Sequence, residues 1–198
     1  SLESLQRQHP AMDMVGVGVD FSQSLQLPGE AGEGPRTLFY PGSSIGNFTP
    51  QEAQAFLRRV REASPDGNLL IGVDLVKAKA VLDAAYDDEL GVTAAFNLNT
   101  LAHVNRLLGS DFGLRQWRHV AFFDEAASRI EMHLEARQAL TVRWPGGERA
   151  FKAGERIHTE NSCKYTVERF DALLRRAGCL HTRCWTDEQG WFAVFAAS

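Results

Sequence analysis

Residues 37–74 read TLFYPGSSIGNFTPQEAQAFLRRVREASPDGNLLIGVD, and the order of signals along this stretch decides the fold. Residues 37–40 form a short β-type run halted by Pro41-Gly42. Thr49-Pro50-Gln51-Glu52 is a capping box with proline in the first helical turn, so a helix starts there. Ala53, Phe56, Leu57 and Val60 then recur at helical spacing and make one apolar face. Ser64-Pro65-Asp66-Gly67 ends the helix, and residues 69–73 form the unbroken apolar run of a strand covered on both faces. Strand, helix, strand in this order predicts a right-handed crossover and a parallel pair, which makes this an α/β fold.

Working outward, residues 1–9 read as a helix tail and residues 13–19 as a strand ending in Asp20-Phe21, with a polar Gly/Pro-rich loop over 22–35. Residues 77–109 read as helical in two segments broken near Gly91. Val81, Leu82, Ala85 and Tyr86 share one face; Phe96, Leu101, Val104 and Leu108 share another. The period then changes to two: residues 129–136 alternate as a half-covered strand, and residues 140–144, the turn at Pro145-Gly146-Gly147 and Ala150-Phe151 give an antiparallel pair. Thr166 caps a last helix with Phe170, Leu173 and Leu174 inward and Gly178 as its stop. Residues 180–185 and 191–196 close the chain as a hairpin.

The expected architecture is a Rossmann-like α/β sheet, partial because its first strands are missing, with a terminal antiparallel hairpin and an inserted α+β subdomain. The division is 1–76 for the cofactor-binding core, 77–155 for the insert, and 156–198 for the return to the core sheet. A nucleotide-binding sheet normally opens with a strand, a Gly-rich turn and a helix N-terminus. No such turn is present in the sequence, so the chain is expected to be the C-terminal two thirds of an enzyme.

Composition narrows the function classes. The 198 residues are 44% hydrophobic and 23% charged, ordinary for a soluble globular chain with a sizeable core. A net charge of -4 argues against nucleic acid as a partner, which wants a basic face. No apolar run is long enough for a membrane span, and no signal peptide is seen, so a cytoplasmic protein is expected. Cys163, Cys179 and Cys184 lack metal-ligand spacing and read as reduced, small apolar residues. The six histidines form no HxH or HxxxH pair, and no metal site is expected.

Several residues have the chemistry of a ligand site. Asp20 and the backbone of Phe21, at the end of a strand, suit an exocyclic amine and a ring nitrogen, although an aspartate there also caps loops. Gly42 permits close backbone approach, and Asn47 offers one acceptor and two donors; turn chemistry alone explains both equally well. Tyr86 can reach a carboxylate with its phenol or serve the core. Glu160, Asn161 and Ser162 form a polar run before the last helix, fit either to bind a substrate N–H or to cap the helix entry. Lys77 and Lys164 read as solvated, and Asp87 and Asp88, adjacent on a helix, do not face one another as an acid–base pair.

Residues 39–48, 72–77, 84–88, 92–97, 130–132 and 159–164, in that order, resemble the histidine-specific S-adenosylmethionine-dependent methyltransferase family. The resemblance runs from about Val15 to the C-terminus and agrees with the methyltransferase-type sheet closed by a hairpin. It implies the cofactor S-adenosyl-L-methionine and Nα-methylation of L-histidine to the trimethylated betaine hercynine, in ergothioneine biosynthesis. It implies adenine contacts at Asp20 and Phe21 and a cofactor contact at Gly42. Asn47 would hold the amino acid end of the substrate and Tyr86 its carboxylate. Glu160 and Ser162 would fix the imidazole, with Asn161 between them and Met132 lining the pocket. No catalytic base is identified. The family's Gly-rich turn, the acidic residue for the ribose and the cap over the substrate have no counterpart in this sequence. A monomer is expected. Two alternatives stay open: an N-methyltransferase for another aromatic amino acid or amine, and an inactive, truncated or purely binding domain.

Overall fold

The computed structural model describes residues 2–29 and 34–198. In chain order the elements are α1 (Leu2–Gln8), β1 (Thr37–Tyr40), α2 (Pro50–Ala63), β2 (Asn68–Asp74), α3 (Lys79–Tyr86), α4 (Val92–Leu108), β3 (Trp117–Asp124), β4 (Arg129–Ala136), β5 (Leu140–Trp144), β6 (Gly147–Phe151), β7 (Arg156–Cys163), α5 (Val167–Arg176), β8 (Thr182–Thr186) and β9 (Phe192–Ala197). Among the described residues the strands form a four-stranded sheet ordered β1-β2-β9-β8, a three-stranded sheet β3-β4-β7 and the β5-β6 hairpin.

The crossover expected from residues 37–74 is present. β1 and β2 pair in parallel from Thr37↔Asn68 to Tyr40↔Ile71. The Thr49 side chain accepts from the Glu52 backbone N–H at 3.3 Å while Glu52 accepts from the Thr49 N–H at 2.8 Å, so two orphan donors are satisfied reciprocally. Ala53, Phe56, Leu57 and Val60 are buried against Ile71 and Val73, and Phe170, Leu173 and Leu174 of α5 join the same core. Each large side chain so buried contributes about 1.5–3 kcal/mol. β9 runs antiparallel to β2 and carries Phe195 into this core. Cys163 and Cys179 are buried, and all three cysteines are free.

The second sheet departs further from expectation. Residues 13–19 do not form a strand; Val15, Val17 and Val19 are exposed. Alternating valines become a strand only where a sheet edge pairs with them, and β1 is not that partner. Conversely β7 is a strand despite its polar sequence, because β4 beside it supplies the ladder. On α4 the buried residues are Asn97 and Leu101, whereas Phe96 and Leu108 are exposed. A hydrophobic count misses this face because its centre is an asparagine, held by hydrogen bonds to His119 and to the His133 carbonyl at 2.9 and 3.1 Å.

Asp88 caps the entry to α4, accepting from the backbone N–H groups of Thr93 at 2.8 Å and Val92 at 2.9 Å. The Thr93 N–H leads in holding its carboxyl down at about 2, against the usual 3.8. The folded-state value is depressed, so this cap contributes fully above the ordinary carboxylate range and is lost as pH falls toward 2. Asp88→Ala is therefore expected to lower the melting temperature at neutral pH. The gap to wild type should close in acid, as a pH series of thermal melts would read.

The two sheets meet at the exit from β7. The chain leaving β7 makes a parallel bridge, Leu75↔Tyr165, to the end of β2, with the Val76 N–H donating to the Tyr165 carbonyl at 2.9 Å. Within the β4–β7 ladder the register shifts: Met132 faces Glu160 but His133 faces His158, so Thr159 is an extra residue. This bulge sends Glu160 to the Met132 side and His158 to the His133 side, although positions two apart on a regular strand share a face.

Candidate functional site

A cavity of about 330 Å³ opens at the carboxyl ends of β1 and β2, where open α/β sheets bind ligands. The loop after β1 supplies Gly42, Ser43 and Asn47, β2 supplies Asp74, and α3 supplies Tyr86. Glu160, Ser162 and Lys164 come from β7 and its exit, and Phe192 from the start of β9. The loop is pinned from both sides. The Ser43 hydroxyl accepts from the Asp74 N–H at 2.8 Å, and Ser43 itself sits in the left-handed region, φ 62°. Gly46 is pressed on β7: a Cβ there would meet the Cys163 carbonyl oxygen at 2.9 Å. Gly46→Ala must push two backbone segments apart and is expected to cost about 1–3 kcal/mol, measurable by urea unfolding.

Lys164 organises the floor. Its side chain is 1% exposed and forms an ion pair with Asp74 at 2.6 Å. It donates also to the Tyr86 hydroxyl at 2.8 Å and the Ser162 hydroxyl at 2.9 Å. All three ammonium protons are thus used. Tyr86 and Ser162 are themselves hydrogen-bonded at 2.8 Å. One hydroxyl proton closes that bond, which leaves one hydroxyl proton for the cavity. Asp74 gives its other oxygen to Lys77 at 2.5 Å, so two ammonium groups share one carboxylate and this end is net cationic. Both lysines were expected in solvent. The expectation fails because Asp74 and two hydroxyls replace the water that an ammonium otherwise needs.

Glu160 marks a second, anionic part of the cavity. Burial pushes its carboxyl above the ordinary range, and the Lys164 charge partly opposes that. Tyr86 is held from behind as well: Asn97 donates to Nδ1 of His119, which leaves Nε2–H of His119 to donate to the Tyr86 carbonyl at 2.8 Å. Neither Asn97 nor His119 was singled out from sequence.

Of the remaining expected residues, Met132 lies buried beneath the cavity with Leu82 and Ile130, and Tyr86 packs on this cluster. Asn161 pairs with Glu131 and is turned by strand alternation to the opposite face of the sheet from Glu160 and Ser162. Asp20 is exposed and occupied by its own loop, accepting from the Ser22 hydroxyl at 2.6 Å and Gln23 at 2.7 Å. The Ser22 hydroxyl leads in holding its carboxyl below the usual range. Phe21 packs edge-on against Tyr40 and Phe56 and lines a separate apolar cavity of about 300 Å³. Of the three residues expected at the cofactor, only Gly42 borders the polar cavity, and a Cβ there would meet nothing within 4 Å. The signal for Lys164 was period two: once residues 156–163 are a strand, Ser162 and Lys164 share a side.

An α/β sheet with a polar cavity at the ends of its parallel strands, cationic at one end and carboxylate-bearing at the other, defines a small-molecule site. The chain belongs to the histidine-specific, S-adenosylmethionine-dependent methyltransferase family, whose match covers residues 1–198. It is 42% identical over 193 residues to the histidine N-alpha-methyltransferase of Mycolicibacterium smegmatis, covering 96% of this chain and 60% of that protein. It is 41% identical over 199 residues to that of Mycobacterium tuberculosis, covering 98% and 61%. Ergothioneine biosynthesis protein 1 of Neurospora crassa is 31% identical over 156 residues, 76% of this chain and 17% of that protein. The chain thus spans about three fifths of the bacterial relatives' length.

Proposed function

We propose that this chain is part of an enzyme that methylates the α-amino nitrogen of L-histidine to hercynine, using S-adenosyl-L-methionine, in ergothioneine biosynthesis. The observation that carries this is the polarity of the cavity, with the Lys164–Tyr86–Ser162 triangle at one part and Glu160 at another. An amino acid carboxylate suits the first and an imidazole N–H suits the second. Asn47 and Tyr86 hold the amino acid end, Glu160 and Ser162 orient the imidazole, and Met132 supports the floor. Asn161 acts from the reverse face. Gly42 lets the cofactor approach, while Asp20 and Phe21 reach it only if their loop rearranges, since Asp20 is occupied by Ser22 and Gln23.

When bound, S-adenosyl-L-methionine supplies an electrophilic methyl carbon on a sulfonium. The protein's task is alignment of the amine lone pair with that carbon, an effect worth up to about 7–11 kcal/mol. No residue is assigned as a general base. The functional division is 1–76, 77–155 and 156–198, with β7 at the start of the third segment tying the second sheet to the first. The protein acts as a cytoplasmic monomer on a small molecule, without nucleic acid or membrane.

The test is to incubate the full-length protein with S-adenosyl-L-methionine and histidine and read the products by mass spectrometry. Addition of three methyl groups to histidine is expected. Preference for another aromatic amino acid in the same assay, or no transfer to any amine, would overturn the assignment.

A further inference from the structure

We propose that the face of the three-stranded sheet turned away from the cavity holds a divalent cation of the zinc class, bound by Glu131 and His133 of β4 and His158 of β7. One ligand atom from each of these residues lies within 4.8 Å of the other two. The constellation follows from the ladder. Glu131 and His133 are two apart on β4 and share a face. The Thr159 bulge brings His158 opposite His133, with ring centroids 4.9 Å apart.

The polar atoms of this face are incompletely paired with one another. Nε2 of His133 lies 3.0 Å from a Glu131 oxygen, while Nδ1 is buried and has no hydrogen-bond partner among the described residues. Asn161, the cross-strand neighbour of Glu131 on this face, also has a buried side-chain oxygen without a partner. A cation placed between Nε2 of His133 and the Glu131 oxygen would take the place of the proton these two atoms share, so that both ligate through lone pairs. Phe122 stacks on His133 at an interplanar angle of 3°, which fixes its ring.

Arg129 is the competing group, since its Nε donates to one Glu131 oxygen at 2.9 Å. The other oxygen faces His133 and remains for a metal. Two imidazoles and one carboxylate favour zinc, cobalt, nickel or copper over magnesium or calcium. Water would complete a four-coordinate site. The sequence hid it because the two histidines lie on different strands, and only the bulged register brings them together.

The experiment uses the full-length protein, freed of metal with a chelator and titrated with zinc sulfate by calorimetry. One zinc per chain is expected, with binding weakened at least about tenfold in His158→Ala, since two ligands hold zinc far less well than three. Because His158 is exposed, that variant leaves the fold intact. At a hundredfold excess over the wild-type Kd, zinc is expected to raise the melting temperature of wild type by about 5–10 °C and that of His158→Ala by about half of that or less. No stoichiometric zinc binding, or binding and stabilisation unchanged by His158→Ala, would overturn the proposal.

Discussion

Lys164→Met is expected to give a folded but nearly inactive protein, with turnover of histidine down by about a hundredfold or more. A shift of an ångström in a positioning group costs that much. The methionine fills the space of the lysine stem but removes three hydrogen bonds at once, to Asp74, Tyr86 and Ser162. The two hydroxyls are then free to reorient, and the cavity keeps the Glu160 charge without its nearest counter-charge. Breaking a buried pair costs about 3–5 kcal/mol, and the lower end applies because Lys77 still pairs with Asp74. Urea unfolding reads the stability and mass spectrometry the turnover. Lys164→Arg is not expected to rescue, since a planar guanidinium cannot point donors in the three directions that the ammonium uses. Wild-type turnover in Lys164→Met would show that the triangle serves packing alone.

Glu160→Ala is expected to weaken histidine binding by about 2 kcal/mol, roughly 30-fold, the low end for truncating one partner of a buried charged hydrogen bond. Affinity for S-adenosylhomocysteine should be unchanged, and calorimetry with each ligand separates the two. Equal loss of both would remove Glu160 from the imidazole end. Burial raises this carboxyl, so histidine affinity should begin to fall at a higher pH than an exposed glutamate would dictate as the solution is acidified. Linkage runs the other way for folding. An acid whose folded-state value is raised opposes folding above its unfolded value, so Glu160→Gln is expected to raise the neutral-pH melting temperature while lowering activity.

The legible part of the molecule is the part governed by local rules. Thr49 and Glu52 announce α2, the apolar run at residues 69–73 announces β2, and Thr166 announces α5, because caps and continuous burial leave marks in adjacent residues. Gly42, Asn47, Tyr86, Glu160 and Ser162 could be named from resemblance, and these five line one cavity. What stayed hidden depends on distant partners. Residues 13–19 have the composition of a strand yet pair with none of the described strands, while β7 has the composition of a loop and β4 to pair with. Lys164 looks like any surface lysine until Asp74, some ninety positions earlier in the chain, is placed against it. Asn97 likewise reads as a blemish on an apolar helix until His119 appears beneath it.

The spare residue at Thr159 has a mechanical consequence. Its hydroxyl is tied to the Met132 carbonyl at 3.0 Å, so the slack in β7 is pinned rather than free to migrate along the strand. The ladder is thereby divided into two stretches with independent alignment, one running from Glu160 toward the seam with β2 and one from His158 toward the β5–β6 end. Length changes or sequence drift in the outer stretch stop at this joint, and the inner stretch keeps its setting. The protein can therefore remodel its periphery without retuning the residues that line the cavity.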